Sequence, residues 1–542
     1  MKLKILGLLA GLLMIAVFIR LNSTLGSPRQ PSFSDTAQAG DALKVTYPFD
    51  GTLFPKDIRS PEFRWSGLIP RGATWFIRVS FKGSDHAVLG TSYETSWTPS
   101  AEAWDDIRAH SLENPATFEV SASTGPAAAK AGVTFLTSKD PAGAPIFYRA
   151  VPAGPVFPTE KEFPRVKWNL GWISSYAPPI NVMKEQRLCF NCHAASADGK
   201  TFGFDYNTRS EDMSSYLLFR GSGRSVTIRP QNMFDWNDYK RIGGRDPFQA
   251  NASAISPDGK VVVTAGKALS LLAPKCPDII QYSIFLRGIL LYRTFDDPEI
   301  KALPGADDES FVHYPGSWSP DGKYIYFFGG PVPAAFADRI KAKLDGKDGD
   351  EHRKLGWREL DKLYPMRYGV YRIPFNGGKG GKAEPIRGAS DNGRSNFFPR
   401  ISPDGKWVVF AQSANGGTLI REDSDLYIVP AAGGEARKLK GSGPLADSWH
   451  SWSPNGRWLA FASKSYGPRT DIVLTHISAG GEDSPPVVLT QLRDNSGLSL
   501  NLPEFFNIKP GQFEEIIPEL NAPAAEGDGP PPGQRSSVVH RR

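Results

Sequence analysis

The sequence predicts an all-β protein in which a small β-sandwich is followed by a β-propeller. A nine-residue unit returns five times, as SADGKTFGF at Ser196, SPDGKVVVT at Ser256, SPDGKYIYF at Ser319, SPDGKWVVF at Ser402 and SPNGRWLAF at Ser453. Composition agrees, because 54 Gly and 46 Pro beside 13 Trp, 17 Tyr and 32 Phe favour many turns between short aromatic-rich strands. Ahead of the repeats the chain alternates apolar and polar residues, as half-buried strands do.

Length and charge bound the rest. With 542 residues, 40% of them hydrophobic, several domains with real cores are expected. A net charge of +6 is too mild to call for a nucleic-acid partner. Three cysteines are too few for a disulfide framework.

The first element is an export segment, MKLKILGLLAGLLMIAVFIR, with two lysines ahead of an apolar run from Ile5 to Ile19. Residues 1–21 are read as a signal peptide or membrane anchor. No small-x-small site follows closely, Ala37-Gln38-Ala39 being the first, so an uncleaved inner-membrane anchor through residues 5–21 is expected. Cleavage would instead give a soluble periplasmic protein. Residues 22–40 form a polar linker.

Residues 41–140 make the sandwich. Trp75, Ile77, Val79 and Phe81 fall on one strand face, Phe118, Val120 and Ala122 on another, and a last strand runs near Val133 to Leu136. The pattern resembles a fibronectin-III or immunoglobulin-like module and implies no function.

Residues 145–520 make the propeller. In each repeat Pro presets φ, Asp or Asn bonds back to the backbone, Gly takes the left-handed position, and a β-branched, aromatic strand begins. Asp198, Asp258, Asp321, Asp404 and Asn455 are therefore read as turn residues, since one recurs per unit. Second strands ending in Gly-rich hairpins, such as DLYIVPAAGG at Asp425, complete four-stranded blades. The charged stretch from about Pro331 to Arg367 reads as a solvated helical flap. Strands at Ile146–Val151 and after His476 allow a six-bladed ring closed by both ends, with seven blades as the alternative. The Pro/Gly-rich tail at 521–542 is expected to be disordered.

These units resemble the TolB-like propellers, in which xSPDGxxhxF marks each blade. That resemblance implies architecture alone, because such propellers serve as docking scaffolds, peptidase gates and enzymes alike.

The chemistry sits at Cys189-Phe190-Asn191-Cys192-His193, ahead of the first blade turn. This CxxCH is the attachment signature of c-type haem: two thiols bond the porphyrin vinyl groups and the imidazole reaches the iron. Cys189 and Cys192 are the expected thioether residues and His193 the proximal ligand. A redox dithiol would suit a thioredoxin-like βαβ pattern, which is missing. A zinc site would have only Cys276 to complete it. Cys276 is otherwise read as a buried thiol. For the sixth ligand Met213 or Met233 ranks first, ahead of Met183. His313 and His450 are assigned a repeated structural role in their blades.

Together the motif and blade turns resemble exported bacterial proteins with a single CxxCH in a TolB-like propeller behind a small sandwich. The resemblance implies one covalent haem c. The expected function is a periplasmic monohaem cytochrome exchanging one electron with a redox protein partner or envelope complex docked on the propeller, rather than a stand-alone enzyme. The alternative is an envelope protein-binding scaffold whose haem is structural or senses redox state or gas. A second CxxCH, an Fe–S cysteine set and a dinucleotide glycine fingerprint are all missing from the sequence.

Overall fold

A computed structural model of the chain describes residues 42–67, 73–123, 130–152, 165–183, 189–207, 214–221, 223–241, 248–273, 282–345, 357–419, 421–493 and 497–519. The export segment, the linker and the tail expected from the sequence lie outside the described residues, as does Cys276.

Each repeat folds as its residues dictate. The hydroxyls of Ser196, Ser256, Ser319, Ser402 and Ser453 donate to Asp198, Asp258, Asp321, Asp404 and Asn455, at 2.6 Å in every case. The same acceptor oxygen takes the backbone N–H two residues on, at 3.1 Å. The repeat glycines then adopt φ between 66° and 73°, where a Cβ would be strained. All five acidic or amide side chains are thus spent on turns.

Each turn joins the first two strands of a four-stranded antiparallel blade. Blade 1 comprises Cys189–Ala195, Thr201–Asn207, Ser215–Arg220 and Met233–Asp235. Blades 2 to 5 begin at Gln249–Ile255, Phe311–Trp318, Ser395–Ile401 and Asp447–Trp452. Blade 6 is composite: Ile146–Val151, Lys167–Gly171 and Ile180–Asn181 come from ahead of blade 1, and Ser499–Phe505 from the far end of the chain supplies its first position. A second tie at the same junction is the parallel pairing of Ser225–Ile228 with Glu515–Pro518. The ring therefore has six blades, and its closure joins strands more than 300 residues apart.

Blade 2 departs from the minimal pattern. Its middle strands, Val261–Ala273 and Tyr282–Thr294, are 13 residues each, and the second pairs beyond the blade with Thr418–Leu419. The charged insertion of blade 3 is helical and mostly exposed, as expected, but it is not wholly solvated. It forms helices α2 (Ala337–Leu344) and α3 (Trp357–Leu363), and Phe336, Leu360 and Tyr364 are buried against the propeller. Arg421, itself buried, reaches Asp361 on α3 at 2.5 Å. Alternating charges concealed a short apolar stripe.

The sandwich packs a three-stranded sheet (Lys44–Tyr47, Phe63–Ser66, Ser96–Trp97) on a five-stranded one built around Trp75–Phe81 and Ala116–Ala122. Its core is aromatic, with Phe63 stacked on Phe118 at 4.7 Å and Trp65 edge-on to Trp75 at 5.5 Å. Helix α1 (Ala101–Ser111), not expected from the alternation, is capped by Ser100, whose hydroxyl accepts from Ala103 N–H. Trp104 on α1 is fully buried and donates to the Ile58 carbonyl at 2.9 Å. Contacts with blade 5 hold the two parts together: Asp140 lies 3.0 Å from His476 and accepts from Trp458 through its carbonyl.

Candidate cofactor site at the first blade

The motif lies on the innermost strand of blade 1, Cys189–Ala195, which pairs antiparallel with Thr201–Asn207. Register shifts between Phe190 and His193. Similar shifts interrupt the first strands of blades 2, 4 and 5, where Ala252, Phe398 and Trp449 take φ of 59°, 54° and 49°. Each stands four residues before its turn serine, and so does Cys192. The next position is His193 in blade 1 and His450 in blade 5. The motif is therefore laid over a bulge of the repeat.

His193 is buried among rings. Its imidazole lies edge-on to Phe147 at 4.8 Å and to Trp168 at 5.1 Å, with Phe506 at 6.0 Å and Phe204 at 6.2 Å. Among the described residues neither ring nitrogen has a hydrogen-bond partner. Burial, assisted by the charges of Arg400 and Arg149, pushes its pKa down to about 3, so the ring is neutral. His450 shows what the same repeat position does when it is only structural: its Nε2 meets the Val409 carbonyl at 3.0 Å. An imidazole N–H left without an acceptor costs on the order of 1–3 kcal/mol. That contrast sets His193 apart.

Cys192 faces the other way. The charge facing its thiol is Asp205, a buried carboxylate that accepts from Ala252 N–H at 2.8 Å and from the Ser253 hydroxyl at 3.0 Å. Both of these partners belong to blade 2, whereas Phe147 and Trp168 belong to blade 6. Cys192 and His193 thus occupy opposite faces of blade 1. Burial raises Asp205 to about 7, and burial with the adjacent carboxylate raises the Cys192 thiol to about 12. A thiol held protonated in this way is a poor redox nucleophile, which weakens the dithiol alternative.

Of the remaining expected residues, Cys189 is described only as backbone of the strand, and Met213 lies outside the described residues. Met233 opens the fourth strand of blade 1 and packs against the cluster of Phe147, Trp168, Phe204 and Phe506 that surrounds His193. Met183 is buried in the same cluster. His313 is not the counterpart of His450. It stands six residues before its turn serine rather than three, and its Nδ1 approaches the Gly288 carbonyl at 3.3 Å. Asp205, Arg149 and Arg400 were missed by sequence reading. Counting back from each turn serine would have matched His193 to His450, but nothing local flags the other three.

The donor set suits haem c: two thiols and a histidine in the required order, with a neutral, buried imidazole that has no hydrogen-bond partner among the described residues. Arg149 and Arg400 supply positive charge beside it, Arg400 being paired with Glu504 at 3.0 Å. Since Cys192 and His193 face apart, presenting both to one group requires the bulge at this strand to rearrange.

The blade count, the antiparallel four-stranded sheets and the two-ended closure define the class, a six-bladed β-propeller protein with an N-terminal β-sandwich. No family model matches the sequence, and no curated protein matches it. Among solved structures it is similar to a TolB-type protein of Agrobacterium tumefaciens, 15% identical over 64% of this chain and 88% of that one, with a TM-score of 0.33. It is also similar to the periplasmic gluconolactonase of Pseudomonas aeruginosa, 12% identical over 63% and 82%, with a TM-score of 0.31. It is similar as well to a 6-phosphogluconolactonase-type protein of Bacteroides uniformis, 11% identical over 80% of this chain and 98% of that one, with a TM-score of 0.30. Likeness at this level carries no activity across.

Proposed function

We propose that the chain is an exported monohaem c-type cytochrome of the periplasm, exchanging one electron with a protein partner that docks on the propeller. The observation that carries this reading is His193, the histidine of a CxxCH motif, buried in an aromatic cluster with both nitrogens unpartnered among the described residues. Bound there, haem would supply one-electron exchange at its iron. Cys189 and Cys192 would hold it covalently and His193 would ligate one face, with Met233 or Met213 proposed for the other. The aromatic rings exclude water from the imidazole, and burial keeps it unprotonated at neutral pH. Because His193 is covered by blade 6, attachment would have to precede closure of the ring.

Export is part of the proposal and rests on residues 1–21. Among the described residues no helix is long and apolar enough to cross a membrane.

A second reading is a docking scaffold in which Cys192 and His193 are ordinary interior residues. It is favoured by their opposite orientations and by the repeat equivalence of His193 and His450. Redox titration with carbon monoxide addition separates the readings. For protein made in a host that matures cytochromes c, a reversible one-electron wave and a reduced spectrum unmoved by carbon monoxide are expected. A ready carbon monoxide shift would point to an open sixth position and a sensor, and no wave at all to the scaffold.

A further inference from the structure

The sandwich carries a group of side chains that the propeller chemistry does not use. His86 stands just before strand Ala87–Ser92, and Asp106 and His110 lie one turn apart on α1. The Asp106 carboxylate spans both rings: one oxygen is 2.9 Å from His86 Nε2 and the other 2.9 Å from His110 Nδ1. The two rings are 4.4 Å apart between centroids and tilted by 37°. Phe81 backs both, stacked on His86 at 5.7 Å and tilted against His110 at 5.1 Å. The Ser84 hydroxyl accepts from His86 N–H, which fixes the approach of that loop to the helix.

We propose that His86, Asp106 and His110 form a surface site for a divalent first-row transition-metal ion, with zinc as the best match. Two imidazoles and one carboxylate are the nitrogen and oxygen donors that zinc takes, at about 2.0–2.2 Å in tetrahedral geometry, which separates neighbouring donor atoms by roughly 3.3 Å. The three side chains offer one donor atom each, all within 4.8 Å of one another. Calcium and magnesium, which want oxygen donors throughout, are poor matches. Three protein donors leave a fourth position to water or to a donor from another molecule, and all three side chains keep 38–42% of their surface exposed. The metal would clamp the end of α1 to the loop entering the neighbouring strand. In the absence of metal, His86 Nε2 is hydrogen-bonded to the Asp106 carboxylate and His110 Nδ1 to the Asp106 backbone carbonyl at 3.0 Å, and metal binding moves each ring proton to the other nitrogen.

The test is calorimetric titration of the full-length protein with zinc chloride, alongside His86→Ala and Asp106→Asn. Both substitutions fall on the surface, outside the sandwich core. Wild type is expected to take up one zinc ion that each variant binds at least about tenfold more weakly. Zinc held instead by cysteines of the propeller would be unchanged in the variants, so the difference isotherm reports this site, and it does so whether or not haem is attached. Cobalt(II) is a second probe: absorption of tetrahedral nitrogen–oxygen coordination in wild type, lost in His86→Ala, supports the site. Identical isotherms in all three proteins, or no saturable uptake by wild type, would reduce the cluster to a hydrogen-bonded surface group.

Discussion

A chain ending at Arg493 is expected to lose the folded propeller. Strand Ser499–Phe505 holds the first position of blade 6, and its hydrogen-bonding partner Ile146–Val151 lies at the other end of the ring. The last described segment also buries Leu498, Leu500, Phe505, Phe506, Ile508, Phe513 and Ile516. At about 1.5–3 kcal/mol for each buried apolar side chain, their loss is on the order of 10–20 kcal/mol, as large as the whole stability of a typical domain, about 5–15 kcal/mol. Removing them leaves strands Ile146–Val151 and Ser225–Ile228 with open edges. The expected result is loss of near-ultraviolet circular dichroism and of a cooperative melt. A gentler version is Phe506→Ala, which removes a ring stacked on Phe147 at 4.6 Å and should cost about 3–5 kcal/mol while leaving the ring closed. A truncated chain melting like wild type would show that closure contributes little.

Two buried groups of strand Asp447–Trp452 in blade 5 should make stability depend on pH in opposite directions, largely offsetting each other in the wild type. Asp447 is fully buried, accepts from the Ser442 hydroxyl and Gly443 N–H at 2.7 Å each, and is raised by burial to about 7. Between its unfolded value near 3.8 and 7, the folded state binds the extra proton. Stability from this group is therefore present at low pH and lost as pH rises through 7. From pH 5 to pH 8 the loss is about 3 kcal/mol. His450 has the opposite sign, because burial lowers it to about 3. Below 6.5 the unfolded state binds the extra proton, so stability falls as pH drops, by about 3 kcal/mol from pH 6.5 to pH 4. Asp447→Asn should remove the alkaline loss alone. Urea unfolding at pH 5 and pH 8 checks this, with the variant gaining on wild type as pH rises. A constant difference between the two proteins would contradict the burial account of Asp447.

Most of the architecture was legible because turns repeat. Five Ser-x-Asp/Asn-Gly units fixed the blade starts, and the alternation at Trp75 to Phe81 gave the sandwich strand now seen with its odd positions buried. Helix α1 was missed because only Trp104, Ile107 and Ser111 of its eleven residues face inward, too few to outweigh the surrounding strand pattern. The buried side of the insertion was missed for a related reason, its Leu360 and Tyr364 being scattered among charges. At the candidate site the sequence named Cys189, Cys192 and His193, but not that a bulge sends Cys192 toward Asp205 and His193 toward Trp168. Side-chain direction at a bulge depends on the pairing strand, which local spacing does not contain. The His86–Asp106–His110 group escaped notice because His86 joins it only through the fold.

The central claim is covalent haem at residues 189–193, and a pyridine haemochrome spectrum with intact-mass measurement on protein from a cytochrome-maturing host tests it most directly. A c-type haemochrome and a mass raised by one haem are expected in wild type, both lost in the Cys189→Ala, Cys192→Ala double variant. Colourless wild-type protein with the mass of its polypeptide alone would contradict it and leave the propeller as a scaffold.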